Sequence, residues 1–186
     1  LVRDIGAMTW SVFFLVPTGR AQSKDEISPY DYEAVMNFLY DVSKFIGVKT
    51  TEGHHFKRVV LQRSVLEALG LSAENYLPLN ETYYRLKEGL DAVTRDFPTP
   101  ADRIRRAPLH VNSAEGLVFI SHRGEVFPSG YLPVSAGNIR QTSLVDIYRH
   151  SPLFQTLRDK SRLKGRCGRC EFKRVCGGSR SRAYAM

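Results

Sequence analysis

The chain has 186 residues, 42% hydrophobic and 25% charged, with 27 Lys and Arg against 19 Asp and Glu and a formal net charge of +8. That is an ordinary globular composition for one domain or two small ones, and it excludes collagen-like and low-complexity chains. The apolar run at 11–17 is far too short to cross a bilayer, which takes ~20 apolar residues. Clustered thiols without a secretory pattern predict a reducing, cytoplasmic setting. The sequence starts at Leu1 and stops at Met186 with no helix stop signal, so a piece of a longer protein is expected.

Residues 9–16 read as a strand, nearly continuously apolar from Trp10 to Val16, as in parallel strands covered on both faces. Most sheet neighbours of such a strand would lie outside this chain, and its bare edge predicts poor solubility or swapping. Pro17, Thr18 and Gly19 end it with turn chemistry. Arg20 then stands just past the strand's C-terminal end, where α/β folds bind ligands. A surface ion pair is the competing role.

Ser28 and Pro29 are an N-cap and a first helical position, with Asp31 near the positive end. Tyr32, Val35, Met36, Leu39, Val42, Phe45 and Ile46 form one helical stripe, and Gly47 stops it. Residues 48–51 are the next strand. Strand, helix, strand is a βαβ unit with a parallel sheet. Thr50, His54 and His55 lie at the C-terminal end of that second strand, the end where α/β sites form. Histidine there is a base, a ligand or a plain hydrogen-bonding residue. Adjacent histidines point apart and rarely share a metal.

Residues 56–70 predict a helix with Val59, Val60, Leu66 and Leu69 inward. Residues 80–96 predict another, carrying Tyr83, Tyr84, Leu86, Leu90 and Val93. Pro98, Pro100 and Pro108 with three arginines mark a linker. The domains are therefore expected at 1–97 and 109–186, joined by 98–108. Beyond the linker, 117–120 and 125–127 pair as a β-hairpin around Gly124. Ser143 caps a helix with Asp146 three residues on, its inner stripe being Leu144, Ile147 and Tyr148. Ser151 and Pro152 start a second helix through Leu153, Phe154 and Leu157.

All three cysteines of the chain fall within ten residues, C-G-R-C-E-F-K-R-V-C, as Cys167, Cys170 and Cys176. Soft thiolates at this spacing suit zinc or an iron–sulfur cluster. A disulfide framework would use an even count of spread-out cysteines. Three thiolates leave a four-ligand site incomplete, so the fourth ligand is another residue type or lies outside the chain. From Arg158 to Arg182 only Asp159 and Glu171 oppose a run of Lys and Arg. That run is a solvated face, and part of it would offset the charge of bound thiolates.

The hairpin F-I-S-H-R-G-E-V-F-P, G-N-I at 137–139, S-L-V-D-I-Y-R-H-S-P-L-F at 143–154 and G-R-C-G-R-C-E-F-K-R-V-C-G-G-S-R-S-R-A-Y-A at 165–185 together resemble one family. It is the radical S-adenosylmethionine (SAM) enzymes of the SPASM/Twitch kind, in the haem, haem d1 and PQQ-synthesis-like branch. The resemblance implies an α/β fold: the last part of a partial (β/α) radical SAM barrel, then a small α+β Twitch/SPASM-like domain. It implies an auxiliary [4Fe–4S] cluster on Cys167, Cys170 and Cys176, with zinc as the alternative. In the full-length protein it implies SAM and a second [4Fe–4S] cluster, and an electron donor such as ferredoxin or flavodoxin. The substrate would be a haem precursor or a peptide, with Arg20, Thr50, His54 and His55 as SAM or substrate contacts.

This sequence departs from the family pattern in two places. It holds no C-x-x-x-C-x-x-C motif, so this chain alone should be inactive. Pro128, Ser129 and Gly130 stand where an upstream SPASM cysteine is expected, which favours a single auxiliary cluster. In the haem branch a fourth cysteine lies past residue 186; Ser179 is a conceivable oxygen ligand within the chain. The competing class is a zinc-stabilised basic binding module without catalysis. Sparse aromatics in the basic stretch disfavour nucleic acid, and no membrane partner is expected.

Overall fold

The computed structural model describes residues 2, 4–97 and 111–186. The chain divides into two compact units, Leu1–Phe14 with Asp25–Ala107, and Leu15–Lys24 with Pro108–Met186. Residues 15–24, read from sequence as part of 1–97, thus group with the second unit. The expected linker at 98–108 lies outside the described residues.

In the first unit, β1 (Thr9–Phe13) and β2 (Gly47–Thr51) pair in parallel, Thr9 opposite Gly47 and Phe13 opposite Thr51. Helix α1 (Pro29–Val42) connects them, as the βαβ pattern requires. The strand expected over 9–16 stops at Phe13, where the register reaches the end of β2 and the Phe14 N–H closes on Thr51 O at 3.0 Å. Burial alternates along β1, with Phe13 64% exposed. Its covered face carries Trp10 and Val12.

Helix α1 is started by Ser28, whose hydroxyl accepts the Asp31 N–H at 3.1 Å. It ends at Val42, four residues before the predicted Ile46, in a turn where Phe45 and Ile46 bond back to Val42 O. Tyr32, Met36, Leu39 and Val42 are buried as the stripe predicts, joined by Phe14, Val48, Phe56 and Val59. Helices α2 (Phe56–Ala68) and α3 (Glu81–Thr94, capped by Asn80) both pack on α1. Burial therefore extends around α1 to Ala34, Asn37, Tyr40 and Asp41. Leu69, predicted inward, points out at 65% exposed, and Tyr84 and Val93 of α3 are 45% and 65% exposed.

Polar groups tie these three helices together. Arg63 on α2 donates Nη2 to Asp41 Oδ1 at 2.6 Å, and the Tyr83 hydroxyl on α3 donates to Asp41 Oδ2 at 2.8 Å. Arg63 also lies over the Tyr40 ring, 4.8 Å from its centroid. Burial and then the Asp41 carboxylate push the Tyr83 phenol up to about 12.

The second unit carries the predicted hairpin, β3 (Phe119–Ile120) against β4 (Glu125–Phe127), with β5 (Gly137–Asn138) on the other side of β4. Here β3 is shorter than the expected 117–120. Ser143 caps α4 (Leu144–His150), its hydroxyl accepting Asp146 N–H at 3.1 Å and donating to the Asp146 carboxylate at 2.6 Å. Pro152 opens α5 (Pro152–Arg158). Ile147, Phe154, Val126 and Ala114 form the core with Tyr148 and Leu157 against it. Leu144, predicted inward, is 37% exposed at the first turn of α4. Among the described residues no helix is long and apolar enough to cross a membrane.

Candidate metal centre

The cysteine loop is made of short helical turns, which Gly-rich, basic sequence favours over a long helix. Cys167 sits in α6 (Gly165–Arg169); Cys170 follows it, and Cys176 is the last residue of α7 (Lys173–Cys176). The Cys170 N–H bonds Cys167 O at 3.4 Å, and the Lys173 N–H bonds Cys170 O at 3.2 Å. The Lys173 ammonium reaches back to Gly168 O at 3.0 Å and closes the loop on itself. None of the three cysteines forms a disulfide; Cys167 is exposed and the other two are half-buried.

Three glycines let the loop fold this tightly. A Cβ on Gly168 would collide with the Leu163 carbonyl, and one on Gly177 with the Asn112 amide. A Cβ on Gly178 would stand 3.5 Å from Cys167 Sγ. Gly177 and Gly178 both have φ of +67°, a left-handed conformation that Gly adopts without a Cβ clash.

Asn112 anchors the loop from outside. Its amide donates to Cys176 O at 2.9 Å and its Oδ1 accepts the Ser113 N–H at 2.8 Å. The turn beside it is strained, with Ala114 at φ +64° and fully buried. Arg158 holds that turn through Ala114 O at 2.8 Å and Tyr148 O at 2.5 Å, stacked on the Tyr148 ring. Lys160 pairs with Glu115 at 2.7 Å. The sequence reading missed Asn112, because nothing local distinguishes it from any turn asparagine.

The donor set suits a thiophilic group: three thiols on one loop, flanked in sequence by Lys and Arg. Among the described residues, however, no three His, Cys, Asp or Glu side chains are drawn together into a metal-holding group.

The other candidate residues fall elsewhere. Thr50 lies in β2, and His54 and His55 lie in the turn that follows that strand in the first unit. The Thr50 hydroxyl donates to Gly53 O at 3.0 Å and closes the turn. His55 is the N-cap of α2, its ring against Tyr32 and Phe14 at 5.7 and 6.2 Å between centroids. Gly53 has no room for a Cβ, which would lie 2.6 Å from Phe14 Cδ2. Beside it Glu52 is 5% exposed on a strained backbone at φ +57°, a buried carboxylate residue that sequence periodicity does not mark. Arg20 is exposed and groups with the second unit.

Residues 113–171 match the SPASM family, described as an iron–sulfur cluster-binding domain. The chain is 37% identical over 187 residues to the AdoMet-dependent heme synthase of Methanosarcina barkeri, covering 100% of this chain and 46% of that protein. It is 37% identical over 190 residues to the AdoMet-dependent heme synthase of Nitratidesulfovibrio vulgaris, covering 100% of this chain and 45% of that one. The pre-heme d1 synthase of Dinoroseobacter shibae matches at 36% over 70 residues, 36% of this chain and 17% of that protein. The chain thus spans less than half the length of the heme synthases it matches. No solved structure matches it.

Proposed function

We propose that this chain, which carries a SPASM iron–sulfur domain and is related along its whole length to AdoMet-dependent heme synthases, is the auxiliary-cluster part of a radical SAM enzyme acting on a haem precursor. The observation that carries this reading is the cysteine loop closing a segment that matches the SPASM domain. Cys167, Cys170 and Cys176 are the ligands we assign to an auxiliary [4Fe–4S] cluster. Such a cluster would supply a redox centre or a Lewis-acidic iron beside the substrate. The chain's own contribution is to hold three thiols on one short loop. Lys173 and Asn112 brace its backbone, and the neighbouring cations lower the cost of three thiolates. Metal uptake by these three thiolates would stiffen the loop.

The radical step itself would require a SAM-binding cluster on a C-x-x-x-C-x-x-C loop, which these 186 residues do not contain. By this reading the chain alone does not turn over. The first unit would then be the last strands and helices of the SAM barrel, a role its parallel β1–β2 pair supports. His54 is the loop residue we favour for SAM or substrate contact. Thr50 serves the turn and His55 the packing. Arg20, exposed, is kept for a carboxylate.

The test is anaerobic reconstitution of the chain with iron and sulfide, followed by metal analysis and EPR of the reduced sample. The expected result is about four irons and four sulfides per chain, lost in Cys170→Ala. Stoichiometric zinc with no cluster signal would overturn this reading in favour of a zinc-stabilised basic binding module.

A further inference from the structure

A second feature of the cysteine-bearing unit is a cavity of about 210 Å³ at the base of the loop, among residues that flank it in sequence. Its polar lining is Thr156, Asp159, Arg162, Lys164 and Arg180. Three of these are cations and one is an acid. Asp159 is committed locally: its Oδ1 accepts the Ser161 N–H at 2.9 Å and the Ser161 hydroxyl at 2.6 Å. Those two bonds, the hydroxyl first, hold its carboxyl below the usual carboxylate range. Among the described residues the Arg162 side chain donates to Thr156 Oγ1 at 3.3 Å, and its charge also helps to hold the Asp159 carboxyl down. Among the described residues neither Arg162, Lys164 nor Arg180 has an acidic side chain within ion-pair distance.

Arg180 is the decisive residue. Its Nε is buried and makes no hydrogen bond among the described residues. A guanidinium N–H shielded from water without an acceptor is among the costlier groups to leave unsatisfied, and proteins rarely tolerate one without a reason. The guanidinium edge offers parallel N–H donors that match an oxyanion, and Lys164 adds a point charge nearby. The cavity is smaller than the roughly 300–1,000 Å³ that take a whole drug-sized ligand. It suits one acidic group at the end of a larger molecule.

We propose that this cavity is a binding site for an oxyanion, a carboxylate or phosphate carried by a small-molecule ligand, with Arg180 as its fork and Lys164 and Arg162 as supporting charges. The site depends only on the fold of the second unit and stands whether or not the cysteines take up a cluster. It lies between Leu163 and Arg180, the two ends of the cysteine loop in sequence, so a ligand gripped here would sit at the base of that loop.

The test is an NMR titration of the ¹⁵N-labelled chain with sodium phosphate and, separately, sodium glutarate. Ionic strength is held constant, and sodium chloride is the control. The expected result is a saturable shift of the Arg180 Nε–H and of amides at 156–164. Affinity should fall about tenfold or more in Arg180→Gln and less in Arg180→Lys. Lys164→Gln should weaken it, and Arg149→Gln on exposed α4 should leave it unchanged. Tighter glutarate than phosphate identifies a carboxylate ligand, and the reverse a phosphate ligand. Equal response to chloride overturns the proposal, as does a response that survives Arg180→Gln. Should Arg180→Gln fail to fold, the wild-type shift map and Lys164→Gln decide: shifts scattered over all surface arginines overturn it.

Discussion

Arg63→Met probes the polar junction between α1, α2 and α3. The Arg63 and Asp41 side chains are 7% and 5% exposed and share a 2.6 Å bond. Removing the guanidinium leaves a buried carboxylate with the Tyr83 hydroxyl and Lys44, 3.6 Å away and 37% exposed, as its remaining polar partners. Breaking one side of a buried pair costs about 3–5 kcal/mol. At about 4 °C per kcal/mol for a unit of this size, the melting temperature should fall by about 12 °C or more. The double variant Asp41→Leu/Arg63→Met removes both charges and leaves Tyr83 without its acceptor, a penalty of about 1–3 kcal/mol. It should therefore be more stable than Arg63→Met alone, with a coupling of about 2 kcal/mol in a denaturant-unfolding cycle. Additive effects, with Arg63→Met costing under about 1 kcal/mol, would refute the claim that the pair is buried and interdependent.

Other consequences follow from the same geometry. Folding holds the Tyr83 proton up to about 12 against an ordinary 10.0, so the folded state keeps a proton that the unfolded state loses between those values. That stabilisation is complete below about pH 10 and disappears as pH rises through about 12, ~3 kcal/mol in all at 1.36 kcal/mol per pH unit. Stability measured from pH 9 to 12 should fall more steeply in the wild type than in Tyr83→Phe. Gly53→Ala places a methyl 2.6 Å from Phe14 and 2.8 Å from Met36; overpacking should cost about 1–3 kcal/mol by chemical denaturation. Gly177→Ala must adopt φ +67° and displace the Asn112 amide from Cys176 O. Iron content after reconstitution should drop well below wild type while the circular dichroism of the remaining helices stays the same.

Where the structure agrees with the sequence reading, the determining contacts are local. Ser28, Asn80 and Ser143 each accept the N–H three residues ahead, so these helix starts are written in four residues. The cysteine loop was legible for the same reason. Its three thiols, its glycines and its cations lie within one short stretch, and the match to an iron–sulfur domain covers the residues that lead into it. Helix ends were less legible. Helix α1 stops at Val42, where Phe45 and Ile46 both bond Val42 O in a turn that the apolar stripe continues through.

What the sequence by itself determined is the set of parts: a parallel βαβ step, two further helices, a hairpin, two capped helices and a thiol loop. Each follows from hydrogen bonds and periodicities spanning a few residues. Only the tertiary structure decided which parts meet. Asn112 holds a carbonyl 64 residues away, Asp41 gathers Arg63 and Tyr83 from two other helices, and Arg180 lines one cavity with residues 156–164. An apolar stripe states that a face will be covered but not by what, since hydrophobic burial is non-directional. The buried polar groups choose the partner, and their partners lie too far along the chain for any local pattern to carry.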